Sequence, residues 1–490
     1  MKRSKRFVLT AMSCVLAASL ASCSAEGTEA ETEETAAETE STEKTYLSAE
    51  DISVTETLEN TNDGEHVIEA DGTEASYNNI AVNKTGEADG DEADFYGENA
   101  AIFATNGAVL DLNEIVVTTN GTHANGVFSY GEGTTVNIAD SVIETTGNCS
   151  GGLMTTGGGT MNAQNLTIHT TGRSSAAIRS DRGGGTVVVE GGSYTTDGTG
   201  SPVIYSTADI TVSDAYMEST ASQGVVVEGK NSVTLNNVEL TADNNTKNSD
   251  KSDYYQAVMI YQSMSGDAAE GEASFTMNGG TLVNQNGDIF FVNNTKAVIT
   301  LSDARITNEG DGVFLRAAAA GWGSEGSNGG NVDLYADSQK IEGDLLADEV
   351  STLNLYLQNG SELTGSVNPE GQAGEVYVEI SKDSTWKLTG DSYITSLTCE
   401  AGSIDLNGYT LYVNGEEYKE NTASEGEAIE VTVTSSGHGE GGMPDGEPPE
   451  RPDGEGHGGM PDGEPPERPD GEGGQPPEKP EGTPPEKPEN

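Results

Sequence analysis

The residues of this chain best suited to chemistry are acids, arginines and aromatic rings. Asp89, Asp91 and Asp94, with Glu87 and Glu92, form the densest acidic segment. Hard oxygen ligands at alternate positions suit Ca²⁺, but no bidentate Glu follows at the twelfth position and no defined turn is encoded. A solvated acidic loop is the competing reading. Arg179, Asp181 and Arg182 stand close together, as do Arg305, Asp311 and Arg316; ion pairing along a strand face accounts for either group. A third set is apolar and aromatic: Met259, Tyr261, Phe290 and Phe314, with Tyr254, Tyr255, Trp322 and Arg316 nearby. Flat rings stack on the apolar side of pyranoses, so this set would bind a glycan if it shared an open face. The sequence has no nucleophile elbow, no phosphate loop and no metal-type His/Cys cluster.

Whether these residues share a face depends on the elements that carry them. Ten pairs of mostly apolar residues sit five positions apart: Tyr77/Val82, Leu112/Val117, Ile138/Ile143, Ala163/Ile168, Val189/Tyr194, Val212/Met217, Leu235/Leu240, Met277/Leu282, Leu301/Ile306 and Leu406/Leu411. From Leu112 the steps to the next pair are 26, 25, 26, 23, 23, 42 and 24 residues. A period of this size is the mark of a solenoid. One coil reads as three short strands, Val127–Tyr130, Thr135–Ile138 and Val142–Thr145, with turns at Gly131–Gly133 and Ala139–Ser141. The absence of a helical period and the Gly, Asn, Asp and Thr at the corners argue for β structure throughout. Each strand then pairs with its equivalents one coil away, in parallel, at a rise of ~4.8 Å.

The alternation in the first strands places Val127, Leu153, Ile178, Ile204, Val225, Val258, Ile289 and Val313 inside. It places Phe128, Met154, Arg179, Tyr205, Val226, Met259, Phe290 and Phe314 outside. Four loops exceed the coil's needs: 84–99, 242–256, 262–272 and 317–330. Three of them would wall the outer ladder near Met259, Phe290 and Phe314, and long solenoid loops are where function concentrates. The opposing expectation is that the loops fold down and bury the ladder as a second small core.

Coil length and the short turn between second and third strands resemble the pectin-lyase-like superfamily of right-handed parallel β-helices over roughly residues 65–415. The turn residues are Asn113, Asp140, Asn165, Gly191, Asp214, Asn236, Gly279, Asp303 and Asn407–Gly408. The resemblance implies an all-β, right-handed, single-stranded parallel β-helix with coils of about 22–26 residues. That fold hosts lyases, hydrolases, adhesins and inert stalks. In pectinolytic relatives the working surface runs along the first strands. Their lyases use Arg or Lys as base, often with Asp-bound calcium, which makes the two Arg/Asp groups above the possible matches. Their hydrolases need close Asp residues and a His, whereas His169 here falls on a third strand and Asp181 has no paired Asp. The chain also resembles the poorly characterised β-helical surface lipoproteins of Gram-positive gut bacteria.

The ends give an address. Lys2, Arg3, Lys5 and Arg6 precede an apolar stretch from Phe7 to Leu20, too short to span a bilayer and typical of a secretory signal. Leu20-Ala21-Ser22-Cys23 resembles a bacterial lipobox, which implies cleavage before Cys23 and its lipidation. The expected organisation is a signal at 1–22, an acidic Glu/Thr-rich spacer at 23–64, the β-helix at 65–418, an end strand or cap at 419–434 and a disordered tail at 435–490. In the tail, Gly442–Gly456 repeats letter for letter at Gly459–Gly473. Of the net charge of −59, about −40 belongs to the β-helix. Nucleic acid and bare anionic polymers would be repelled, while neutral glycans, cationic partners and divalent metals would not. Cys149 and Cys399 lie about ten coils, or ~48 Å, apart, which forbids a disulfide between them.

Together these features predict a protein tied to the outer face of a bacterial membrane by its N-terminal lipid. Its β-helix would bind carbohydrate or a host or cell-wall surface without catalysis. The alternatives are a polysaccharide lyase or glycoside hydrolase, and a structural stalk. No cofactor is required, and Ca²⁺ is the candidate ion.

Overall fold

The computed structural model describes residues 45–372 and 374–431. The signal, Cys23, most of the acidic spacer and the repeat tail lie outside these residues. The described chain winds into a parallel β-helix. First strands, from Ile68–Asp71 to Leu345–Ala347, stack into an eleven-stranded parallel sheet, and second and third strands together form a twenty-one-stranded sheet.

The apolar pairs explain this winding. Leu112, Ile138, Ala163, Val189, Val212, Leu235, Met277 and Leu301 oppose one another in succession along the second strands. Val117, Ile143, Ile168, Tyr194, Met217, Leu240, Leu282 and Ile306 do the same along the third. A five-residue spacing allows two inward positions on either side of a tight corner, so both residues of a pair face the interior. A single coil cannot bury that interior, and stacking buries it continuously.

The corner itself is left-handed backbone. Asp140, Asn165, Asp214 and Asp303 take φ of 46°, 50°, 55° and 50°, as the turn pattern predicts. In two coils the left-handed residue is one position later than expected, at Glu114 rather than Asn113 and at Asn237 rather than Asn236. At the corner before the first strand, coils approach so closely that only glycine fits. A Cβ on Gly147 would lie 1.9 Å from the Gly121 carbonyl oxygen, and one on Gly172 would lie 1.8 Å from that of Gly147.

Two boundaries differ from the sequence expectation. Strand Glu56–Asn60 already pairs with Ile80–Lys84, so coil structure begins inside the stretch read as spacer. Toward the other end the pair Leu406/Leu411 does not continue the ladder. Here the third strands leave the large sheet as a separate four-stranded one, in which Ile404 opposes the fully buried Trp386. Leu411 instead opposes Ser392 in a three-stranded end sheet, closed by the antiparallel pair Tyr412–Glu417.

Candidate functional site

Strand register fixes the outward column of the first-strand sheet. It runs Phe103, Phe128, Met154, Arg179, Tyr205, Val226 and Met259, as alternation predicts, and then Phe291 and Arg316. Phe290 and Phe314 are not on it, and this corrects the expectation. Phe290 opposes Val258 and faces inward, where its ring contacts Phe275 and Phe314 at 5.6 Å each. Both Phe290 and Phe314 belong to the main core. The alternation slips by one residue, so that Phe290, not Ile289, takes the rung of Val258. Phe290 and Leu315 then hold the inward rungs where strict alternation would have placed Ile289 and Val313.

The long loops lie down on this column. The segment after Lys84 carries a short helix, Asp91–Phe95, and closes a satellite core of Ala100, Phe103, Phe128, Tyr130 and Met154. The loops at 243–255 and 318–329 close a second, of Val226, Met259, Tyr261, Phe291 and Ala318, flanked by Trp322. Trp322 packs edge-on against Tyr261 at 5.2 Å. Tyr254 covers Phe291 at 5.5 Å and lies against the Arg316 guanidinium at 4.2 Å. Tyr255 lies near Lys247, whose Nζ is 5.8 Å from its ring. The structure thus gathers Met259, Tyr261, Trp322, Tyr254 and Arg316 at one place, with Met259 and Tyr261 buried under the half-buried Trp322 and the exposed Tyr254, and not as an open ring-lined groove. Arg316 donates through Nε to Asp288 at 2.6 Å, not to Asp311, and Arg305 is exposed on a third strand.

Between the two satellite cores lies a polar belt. Arg179 donates to Asp181 at 2.9 Å, and Arg182 ties both walls together, to Asp91 at 3.1 Å and to Asp267 at 2.6 Å. The Arg182 guanidinium also lies 3.6 Å from the centre of the Phe95 ring. Tyr205 and Tyr261 both donate to Glu228 Oε2, Tyr261 at 3.0 Å. Burial pushes the Asp181 carboxyl up to about 6 against the pull of Arg179. Burial and the Glu228 charge raise both tyrosines well above their ordinary value. Arg179 Nη1 and Glu228 Oε1 are buried without hydrogen-bond partners.

The acidic segment does not converge on one ion. Asp91 serves Arg182, Asp94 approaches His123 at 2.9 Å, and Asp89 is exposed, 3.8 Å from the other nitrogen of that imidazole. A His/Cys/Asp grouping nevertheless exists: Asp94, His123 and Cys149 meet within 4.8 Å. The sequence hides it because three coils contribute one residue each. The visible signal is the 26-residue step from His123 to Cys149, one coil long. His169, on its third strand, pairs with Asp197 at 2.8 Å and stays half-exposed.

An open groove lies elsewhere, on the outer face of the larger sheet, with a volume of about 470 Å³. Its axis is a column of second-strand residues one coil apart: Ser76, Asp111, Asn137, Asn162 and Val188. Asn162 donates to Asn137 at 2.9 Å and Asn137 to Asp111 at 2.8 Å. Asn78, Asn113, Gln164 and Glu190 flank the column, and Val188 is 42% exposed. No Lys or Arg lines it. The sequence reading missed these residues, yet Asp111, Asn137 and Asn162 follow the same 26- and 25-residue steps as the apolar pairs. The half-buried Tyr335–Tyr356 pair on this sheet stacks face to face at 4.6 Å and 7°, which hides those faces from any sugar. Neither a protein-family model, nor a curated protein, nor a solved structure matches this chain.

Proposed function

We propose that this is a lipid-anchored surface protein whose β-helix binds a neutral or amino-sugar glycan without catalysis. The observation that supports it is the open groove along Asp111, Asn137 and Asn162. Side-chain amides offer donors and acceptors together, the inventory that sugar hydroxyls satisfy. Carboxylates without a balancing cation disfavour uronates and phosphates and tolerate an amino sugar. Because no ring lines the groove, each contact lacks stacking energy and a single site is weak, about 1 mM or −4 kcal/mol. Repeated display on a cell surface compensates through avidity. The anchor is Cys23, with the acidic spacer holding the β-helix off the membrane. Glycan-array binding of the full chain, with and without Asn162→Ala, tests the reading.

A second reading, a polysaccharide lyase or hydrolase, is favoured by Asp181. A carboxyl that keeps its proton to about pH 6 beside a fixed guanidinium resembles a general acid. The Arg182 bridge and the surrounding loops close that belt, so substrate entry requires them to part. Release of reducing ends or unsaturated products from polysaccharide, lost in Asp181→Asn, would support it over the first.

A further inference from the structure

We infer that Asp94, His123 and Cys149 form a three-ligand site for a borderline-soft divalent transition ion, zinc above all. This goes beyond the glycan reading and is independent of it. The three side chains are far apart in sequence and come from different parts of the coil stack. Asp94 is on the short helix Asp91–Phe95. His123 and Cys149 occupy the same corner of consecutive coils, with φ of 55° and 54°. The His123 amide donates to the carbonyl of Asn148, the residue before Cys149, at 2.9 Å. One rung of the stack therefore sets the imidazole and the thiol side by side.

The three ligand atoms lie within 4.8 Å of one another. A four-coordinate zinc with metal–ligand distances of ~2.0–2.3 Å needs edges of roughly 3.3–3.8 Å, so the 2.9 Å contact of His123 Nδ1 with Asp94 must open slightly and any edge wider than this range must contract. The imidazole is aimed at that centre. His123 is only 4% exposed, and its Nδ1 lies 2.9 Å from Asp94 Oδ1. Without an ion the imidazole and the carboxylate share a proton at this distance, and a cation would take that proton's place. The other ring nitrogen faces Asp89 at 3.8 Å, the position of an outer carboxylate that orients a ligating histidine.

The donor set selects the metal. Thiolate, imidazole and one carboxylate suit Zn²⁺ or its neighbours and do not suit Ca²⁺, which takes hard oxygens. On binding, Cys149 Sγ gives up its proton to solvent and forms the metal–sulfur bond, with no redox change. Three protein ligands leave the fourth position to water or an incoming donor, and the Asp94 side chain, 31% exposed, marks the way in. The ion would also fasten the 85–99 loop to the coil stack, alongside the contacts of Arg182 with Asp91 and Phe95.

Co²⁺ titration of the full chain, purified without a polyhistidine tag, tests this, because thiolate–cobalt charge transfer reports sulfur ligation directly. The expected result is one Co²⁺ bound with a thiolate charge-transfer band and strong four-coordinate visible bands, erased by Zn²⁺ and unaffected by Ca²⁺. Cys149→Ser should abolish the charge-transfer band and His123→Asn should lose the four-coordinate visible bands, while Cys399→Ser keeps both. The corner tolerates these changes: Ser174 holds the same place one coil on at φ 55°, and Asn adopts this backbone elsewhere in the chain. Thermal melting confirms that each variant is folded. A wild-type chain without the band, a band retained in Cys149→Ser, or visible bands unchanged in His123→Asn would overturn the assignment.

Discussion

The Asn162 side-chain amide donates to the Asn137 side-chain oxygen at 2.9 Å, from one coil to the next along the outer face of the larger sheet. Asn137 passes the pattern on to Asp111 at 2.8 Å. Each such bond contributes about 0.5–1.5 kcal/mol net. Asn137→Ala breaks both, and urea unfolding should show a loss of about 1–2 kcal/mol. No loss would mean that the ladder is only a surface arrangement of solvated amides.

The register of the first strands makes a sharper prediction. Phe290 fills the coil interior, so Phe290→Ala should cost about 3–5 kcal/mol and lower the melting temperature clearly. Tyr254 is 39% exposed, and Tyr254→Ala should cost less than about 1 kcal/mol. Equal, small effects at both positions would return Phe290 to the outer face.

Asp181 should leave a signature in the pH dependence of stability. Unfolded, its carboxyl titrates near 3.9, whereas folded it titrates at about 6, because burial disfavours the charge. Below the unfolded value both states hold the proton and the contribution to stability is complete. As pH rises from about 4 to about 6 the unfolded chain releases its proton first. Stability then falls by on the order of 3 kcal/mol and levels off above the folded value. Urea melts across this range should show the slope in the wild type and a flatter profile in Asp181→Asn.

The anchor is tested by Cys23→Ala. If Cys23 carries the lipid, this variant should leave the membrane fraction and appear in the medium, while the wild type partitions into detergent. A variant that still partitions with detergent removes the lipoprotein reading.

The fold was legible because it is written in one repeated signal, two inward residues flanking a corner, and every pair from Leu112/Val117 to Leu301/Ile306 stands in register. It faded after Ile306 because later coils use Ala336 with Ile341 and widen the gap to six residues at Leu357 and Leu363. The outer site was less legible. Periodicity located Met259 outside, but a slip of one residue at Asp288 exchanged Phe290 for Phe291, and no local pattern announces such a slip. Nor does composition say whether a long loop stands up as a wall or lies down as a lid. Here Tyr254 and Trp322 carry enough apolar surface to lie down. Contacts between coils, such as His123 with Cys149 and Asn162 with Asn137, appear in the sequence only as steps of one coil.

Glycan binding by the full chain is the most direct test of the proposed function. The chain carrying Cys23→Ala, to keep it in solution, would be applied to an array of neutral, amino-sugar and uronate glycans beside the same chain with Asn162→Ala. The account predicts retention on neutral or amino-sugar glycans and none on uronates. It also predicts an apparent affinity at least about tenfold lower in Asn162→Ala, equivalent to about 1.4 kcal/mol, in a chain that stays folded and loses only the stability of the one Asn162–Asn137 hydrogen bond. Failure of the parent to bind any glycan, or equal binding by Asn162→Ala, would contradict it.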